Sequence, residues 1–207
     1  MSPIFECKTY NLYEYHVKQD LGSGEPLRNI GGSEINFKIV SSNQEADKLE
    51  LDSFAFRSYP TDFNDGLSTY TRWLEQGAMA FCTFVGTEFA AIMWIVASQE
   101  TQDRIKDRTK APGVRVNYAN HEALSRGVWV NPKYRGLGLY RGLWLHRYTL
   151  RNRDRHLAGI GIDLVRSCID LWNRTGMDLV RSVGSRQYGR AREWRILLWK
   201  AWKETYV

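Results

Sequence analysis

The residues best suited to chemistry lie in one run, 128–143, which reads Val-Trp-Val-Asn-Pro-Lys-Tyr-Arg-Gly-Leu-Gly-Leu-Tyr-Arg-Gly-Leu. Apolar Val128 and Val130 suit a strand, Asn131-Pro132 ends it, and Arg135-Gly136-Leu137-Gly138 opens onto a helical run. Glycines at 136 and 138 let a backbone approach something closely. The first N–H groups of a helix have no internal partners and carry the positive end of its dipole. Such a turn suits a pyrophosphate, and Arg135 adds a fixed donor fork. The dinucleotide fingerprint needs a third glycine where Arg141 stands, with Gly142 one place late. The Gly-Lys-Ser/Thr ending of a nucleotide-triphosphate loop is missing. The same spacing also describes a loop with two turn glycines.

Val130, Pro132, Tyr134, Arg135, Gly136 and Gly138 together resemble the coenzyme A-binding motif of the Gcn5-related N-acetyltransferases. The departure is Tyr140, where that motif ends on a small residue. Downstream, Leu171-Trp172-Asn173-Arg174-Thr175-Gly176-Met177 resembles the family's Leu-Tyr-x-x-x-Gly-Phe segment, with Trp172 for Tyr and Met177 for Phe. The resemblance covers residues 36–207, which it makes an acyl-CoA N-acyltransferase domain. Residues 1–35 are left as an N-terminal extension with an extra strand and a loop.

The resemblance implies direct transfer of an acetyl (acyl) group from acetyl-CoA, as co-substrate, to an amine, with no metal. It implies that backbone groups of Val128, Trp129 and Val130 pair with the pantetheine arm. N–H groups of Arg135, Gly136, Leu137, Gly138, Leu139 and Tyr140 would hold the pyrophosphate. Glu122 stands where the family often places a general base, and burial would raise its pKa towards a useful range. His121 beside it titrates near neutrality without help. The family's usual acid, a tyrosine, is Trp172 here, whose indole cannot protonate a thiolate. Tyr188, another tyrosine or water would then do this work, and Trp172 reads as core packing.

Two further readings stand beside this one. An acyl-carrier-dependent synthase of N-acyl amino acids or acyl-homoserine lactones shares the fold, and Glu122-Ala123-Leu124-Ser125-Arg126 is similar, one residue out, to its Glu-x-Ser-Arg element. A non-enzymatic nucleic-acid-binding domain would use the Arg-rich half and its aromatics. Most of those aromatics fall at apolar-periodic positions, which favours core. Zinc has no paired ligand spacing at His16, His121, His146 or His156, and no Gly-x-Ser-x-Gly elbow is present.

The 207 residues suffice for one domain and a sizeable core. Net charge is +6, but residues 138–207 hold 14 Lys and Arg against 6 Asp and Glu, leaving −2 for the rest. A basic second half suits an anionic ligand such as coenzyme A. No apolar run is long enough to span a bilayer, and no basic-then-apolar leader opens the chain. Cys7, Cys82 and Cys168 are odd in number and scattered, which reads as buried free thiols in a reducing, cytoplasmic setting. The expected partner is a small-molecule or peptide amine, ahead of nucleic acid and with no membrane. Eight tryptophans leave room for a homodimer face.

The elements that must position these residues follow from pattern. Residues 4–17 alternate as a strand, 20–34 form a loop, and 36–40 a strand. Ser41-Ser42-Asn43 caps a helix from Gln44 to about Phe56, Tyr59-Pro60 breaks it, and a second helix spans 66–75 before Gly77. Residues 78–85 and 88–97 flank Gly86-Thr87 as a hairpin. Residues 98–120 read as a loop beside the site, 124–130 as a strand and 139–152 as a helix. A strand over 157–162 then precedes a helix from Asp163 to Gly176. Strands at 178–183 and 194–202, the second also readable as a helix, close a mixed α/β (α+β) fold. The resemblance implies a mostly antiparallel central sheet with helices on both faces.

Overall fold

A computed structural model describes residues 5–17, 29–30, 32–49, 73–109, 113–134, 144–196 and 199–207. Among them, nine strands form one sheet: β1 (Phe5–His16), β2 (Asn29–Ile30), β3 (Ser33–Val40), β4 (Met79–Val85), β5 (Glu88–Val96), β6 (Glu122–Val130), β7 (Leu164–Asp170), β8 (Arg186–Ile196) and β9 (Trp199–Tyr206). Their order across the sheet is β2-β3-β4-β5-β6-β7-β1-β8-β9. Every neighbouring pair is antiparallel except β6 and β7.

The β4–β5 hairpin turns on Gly86, at φ +61°, as its two-residue loop requires. Its strands bury both faces. Ala80, Cys82, Ile92, Trp94 and Val96 join the larger core, while Phe81, Met93 and Ile95 join the smaller one on the other side. Strand β1 is not at an edge; its 12 residues fill the gap between β7 and β8.

Helices cover both faces. On the larger core lie α1 (Asn43–Lys48), through Ala46, and α2 (Gln99–Thr109), through Ile105. On the smaller lies α3 (Trp144–Gly159), through Leu150 and Leu157. Helix α4 (Arg174–Ser182) touches β1 where the Asn11 amide meets the Met177 sulfur at 3.1 Å. Ser42 caps α1 by accepting from the Glu45 N–H, as expected, but the helix ends at Lys48 rather than near Phe56. Residues 50–72, and so most of the expected second helix, lie outside the described residues.

Several expectations need correction. Residues 98–120 are not all loop: α2 fills 99–109, with the Ser98 hydroxyl accepting from the Thr101 N–H at its start, while 113–117 carry no regular structure. Residues 157–159 continue α3, so there is no strand over 157–162; β7 begins at Leu164 instead. Consequently the expected helix from Asp163 is strand β7, and the expected strand over 178–183 is helix α4. Gly176 does not end a helix. It lies in the first turn of α4, where its N–H donates to the Asn173 side chain at 2.8 Å. Leu171–Met177 therefore runs from a strand end into a helix. Trp172 is 90% exposed and packs in no core.

Candidate functional site: a parallel pair that opens

Strands β6 and β7 pair over only three rungs, Glu122 with Leu164, Ala123 with Val165 and Leu124 with Arg166. Beyond Leu124, β6 follows β5 and β7 follows β1, so the two walls diverge. A bulge helps to turn β6 away. Arg126 faces Trp94 and Trp129 faces Ile92, so Gly127 and Val128 together oppose Met93. An extra residue of this kind bends its strand and re-aims side chains. Val128 is 41% exposed although its strand lies mid-sheet. Past Leu124, the β7-facing edge of β6 meets no strand among the described residues.

The turn after β6 is pinned. The Asn131 N–H donates to the Ala90 carbonyl at 2.8 Å, and its side-chain amide donates to the Phe89 carbonyl at 3.0 Å. Tyr134 is buried, and its hydroxyl donates to Glu88 at 2.7 Å. Burial and that bond push its pKa up to about 12. Lys133 also pairs with Glu88. Val130 and Tyr134 share a small core with Ile35, Val85, Ala90 and Ala91. The β4–β5 hairpin thus fixes the point from which the glycine-rich segment leaves. Residues 135–143, which carry Arg135, Gly136, Leu137, Gly138, Leu139 and Tyr140, lie outside the described residues. Helix α3 follows from Trp144.

At the closed end of the opening, one residue not singled out in the sequence joins both catalytic candidates. Arg166 donates to Glu122 through Nε at 3.1 Å and Nη2 at 2.7 Å, and to Glu14 through Nη1 at 3.1 Å. Its guanidinium carbon lies 4.5 Å from the centroid of the Tyr188 ring. Glu122 also accepts from the Asn117 N–H at 2.9 Å. Burial pushes the Glu122 carboxyl up, but Arg166 and the Asn117 amide outweigh it and hold the group below the ordinary carboxylate range. The upward shift expected from burial is thus overridden. Tyr188 is raised, by burial first and by Glu204 second, and keeps its proton. His121 turns the chain with φ +59° and bonds the Gly161 carbonyl through Nδ1 at 2.7 Å.

On the larger-core side, Arg126 of β6 and Cys168 of β7 follow the last rungs by two residues each. Arg126 is buried, with its guanidinium 5.8 Å from the Trp73 ring centroid. Burial raises the Cys168 pKa to about 11 against the pull of Arg126, so this thiol is protonated at neutral pH. Tyr118 is raised by burial, again against Arg126. Cys82 is buried, whereas Cys7 is exposed. No group of three or more His, Cys, Asp or Glu among the described residues is placed to hold a metal ion. No helix among them is long and apolar enough to cross a membrane.

No family model and no curated protein matches the chain. Solved structures do. A tandem GNAT protein from the clavulanic acid biosynthesis pathway is 16% identical, with a TM-score of 0.53 over 95% of this chain and 54% of that one. A GNAT-family acetyltransferase from Colwellia psychrerythraea is 14% identical, with a TM-score of 0.51 over 88% and 53%. A conserved protein of unknown function from Staphylococcus epidermidis is 14% identical, with a TM-score of 0.55 over 92% and 61%. The chain spans little more than half the length of these structures. Its mostly antiparallel sheet, opened at one parallel pair before a helix, is the fold of the Gcn5-related N-acetyltransferases.

Proposed function

We propose that the protein transfers an acetyl group from acetyl-CoA directly to the amine of a small molecule or peptide. The observation that carries this reading is the divergence of β6 and β7 beyond Leu124 and Arg166. A sheet opened in this way suits an extended thioester arm laid along β6. Backbone groups of Val128, Trp129 and Val130, on the side of β6 that turns away from β7, would bond an amide-bearing chain as an added strand does. Arg135 to Tyr140, between the anchored Tyr134 and α3, supply the residue types that cradle a pyrophosphate.

Attack of the neutral amine on the thioester carbonyl forms the C–N bond and breaks the C–S bond; the nitrogen gives up one proton to water, and the released coenzyme A thiolate takes one up. Holding both reactants in line supplies much of the acceleration. Protonated Cys168 is a poor nucleophile, which favours direct transfer over an acyl-cysteine route. Burial raises the pKa of both Tyr188 and Tyr118 and makes each a weaker acid than a free phenol, so water is the better donor to the leaving thiolate. Glu122, committed to Arg166, anchors the closed end of the slot and does not serve as the base. Glu122→Gln is therefore expected to leave the shape of the pH–rate profile unchanged. Loss of an acidic limb in that profile would restore Glu122 as the base.

Calorimetry with acetyl-CoA, free coenzyme A and a longer acyl-CoA tests the reading. Micromolar binding is expected, and Gly138→Trp is expected to abolish it by filling the cradle. A folded wild-type protein that binds none of the three would overturn the proposal. An amine panel read by free-thiol release then identifies the acceptor.

A further inference from the structure

We propose that the outer face of β1, β8 and β9 binds a nucleotide, with its phosphate on Arg190, Arg192 and Lys203 and its ring on Trp194. This site shares no residue with the β6–β7 slot and does not depend on the acyl-transfer reading. Register puts these groups on one face. Thr9, Arg192 and Lys203 form one cross-strand row, Arg190 and Thr205 lie in the next on one side, and Trp194 on the other. The opposite face of the same strands carries Tyr10, Leu12, Ala191 and Trp202 into the larger core. The outward side chains line a cavity of about 460 Å³, and no acidic residue stands among the described residues of its wall.

Charge is the reason to expect a ligand. Elsewhere on β8 the arginines are matched: Arg186 pairs with Glu14, and Arg195 with Glu193 and Glu6. Arg190, Arg192 and Lys203 have no ion-pair partner among the described residues. Arg192 and Lys203 stand directly opposite each other, and like charges so placed repel. Three cations with the hydroxyls of Thr9 and Thr205 suit a multiply charged phosphate better than a single carboxylate. The Trp194 indole offers a flat apolar wall, and rings stack on such a surface beside cations. The volume falls within the range of about 300–1,000 Å³ typical of small-ligand sites.

The test uses the full chain with ADP, inorganic phosphate and a single-stranded oligonucleotide as probes, followed by calorimetry and thermal unfolding. Wild type is expected to bind ADP more tightly than phosphate. Arg192→Gln with Lys203→Gln should weaken ADP by about tenfold or more while raising Tm in anion-poor buffer, because the repulsion is gone. Trp194→Leu should keep phosphate binding and lose the preference for ADP. Unchanged ADP affinity in the double variant would put the nucleotide elsewhere and overturn the proposal. So would an absence of ADP binding to wild type, or an oligonucleotide bound in preference to ADP.

Discussion

Asp154→Ala is expected to cost about 3–5 kcal/mol of folding stability, seen as a fall of roughly 10 °C or more in Tm. The Asp154 carboxylate is fully buried, and both its oxygens are engaged. Oδ1 accepts from Arg153 Nε at 3.0 Å and Nη2 at 2.7 Å, and Oδ2 accepts from the Tyr15 hydroxyl at 2.6 Å. Arg153 is 4% exposed, with its guanidinium carbon 4.8 Å from the Tyr15 ring centroid. Removing the carboxylate leaves a guanidinium in a site that excludes water. It also strips a buried phenol of its acceptor. The cost comes from what is stranded, not from the pair's net worth. Replacing Arg153 and Asp154 together by Met and Leu should therefore be much milder than Asp154→Ala alone. Equal losses in the single and double variants would refute this account.

That lock ties β1, from the first residues of the chain, to α3, which follows the glycine-rich segment. Its members are 139 positions apart in sequence, and no local pattern announces them. Local patterns did reveal the hairpin, because Gly86 and the apolar runs on either side act within a few residues. They revealed the Ser42 cap for the same reason. They failed on α2, a polar helix whose described side chains bury Thr101, Gln102 and Ile105. In β7, Leu164, Val165 and Cys168 mimic helical spacing because six of its seven residues are only half-buried, so no clean in-and-out alternation marks it as a strand. Once that strand read as a helix, Gly176 read as its stop, although Asn173 caps a helix that begins there. Likewise Glu122 was visible from its position before the motif strand. Arg166, which sets its charge state, becomes its neighbour only through the β6–β7 rungs.

Arg166→Ala is expected to cost about 3 kcal/mol at neutral pH, with a deficit that shrinks in acid. Arg166 stands between Glu122 and Glu14, whose side chains are 11% and 9% exposed. In the wild-type protein the Glu122 pKa lies below its ordinary value of 4.5. The stabilisation this represents is present above that value and lost as pH falls through the folded pKa. In the variant the sign reverses. Burial, which pushes the Glu122 carboxyl up, loses its main opponent, and only the Asn117 amide still favours the anion. Glu14 keeps Arg186, so its exposure to the change is smaller. Protonation of Glu122 then relieves the variant, and its urea midpoint should approach that of wild type as pH falls below about 5. Arg166→Lys retains the charge but not the fork, and should recover only part of the loss. A deficit that is constant between neutral pH and pH 4 would mean that Arg166 acts through packing on Tyr188 rather than through charge. Because the last β6–β7 rung is Leu124 with Arg166 itself, the same measurement reports on what holds the slot shut at its base.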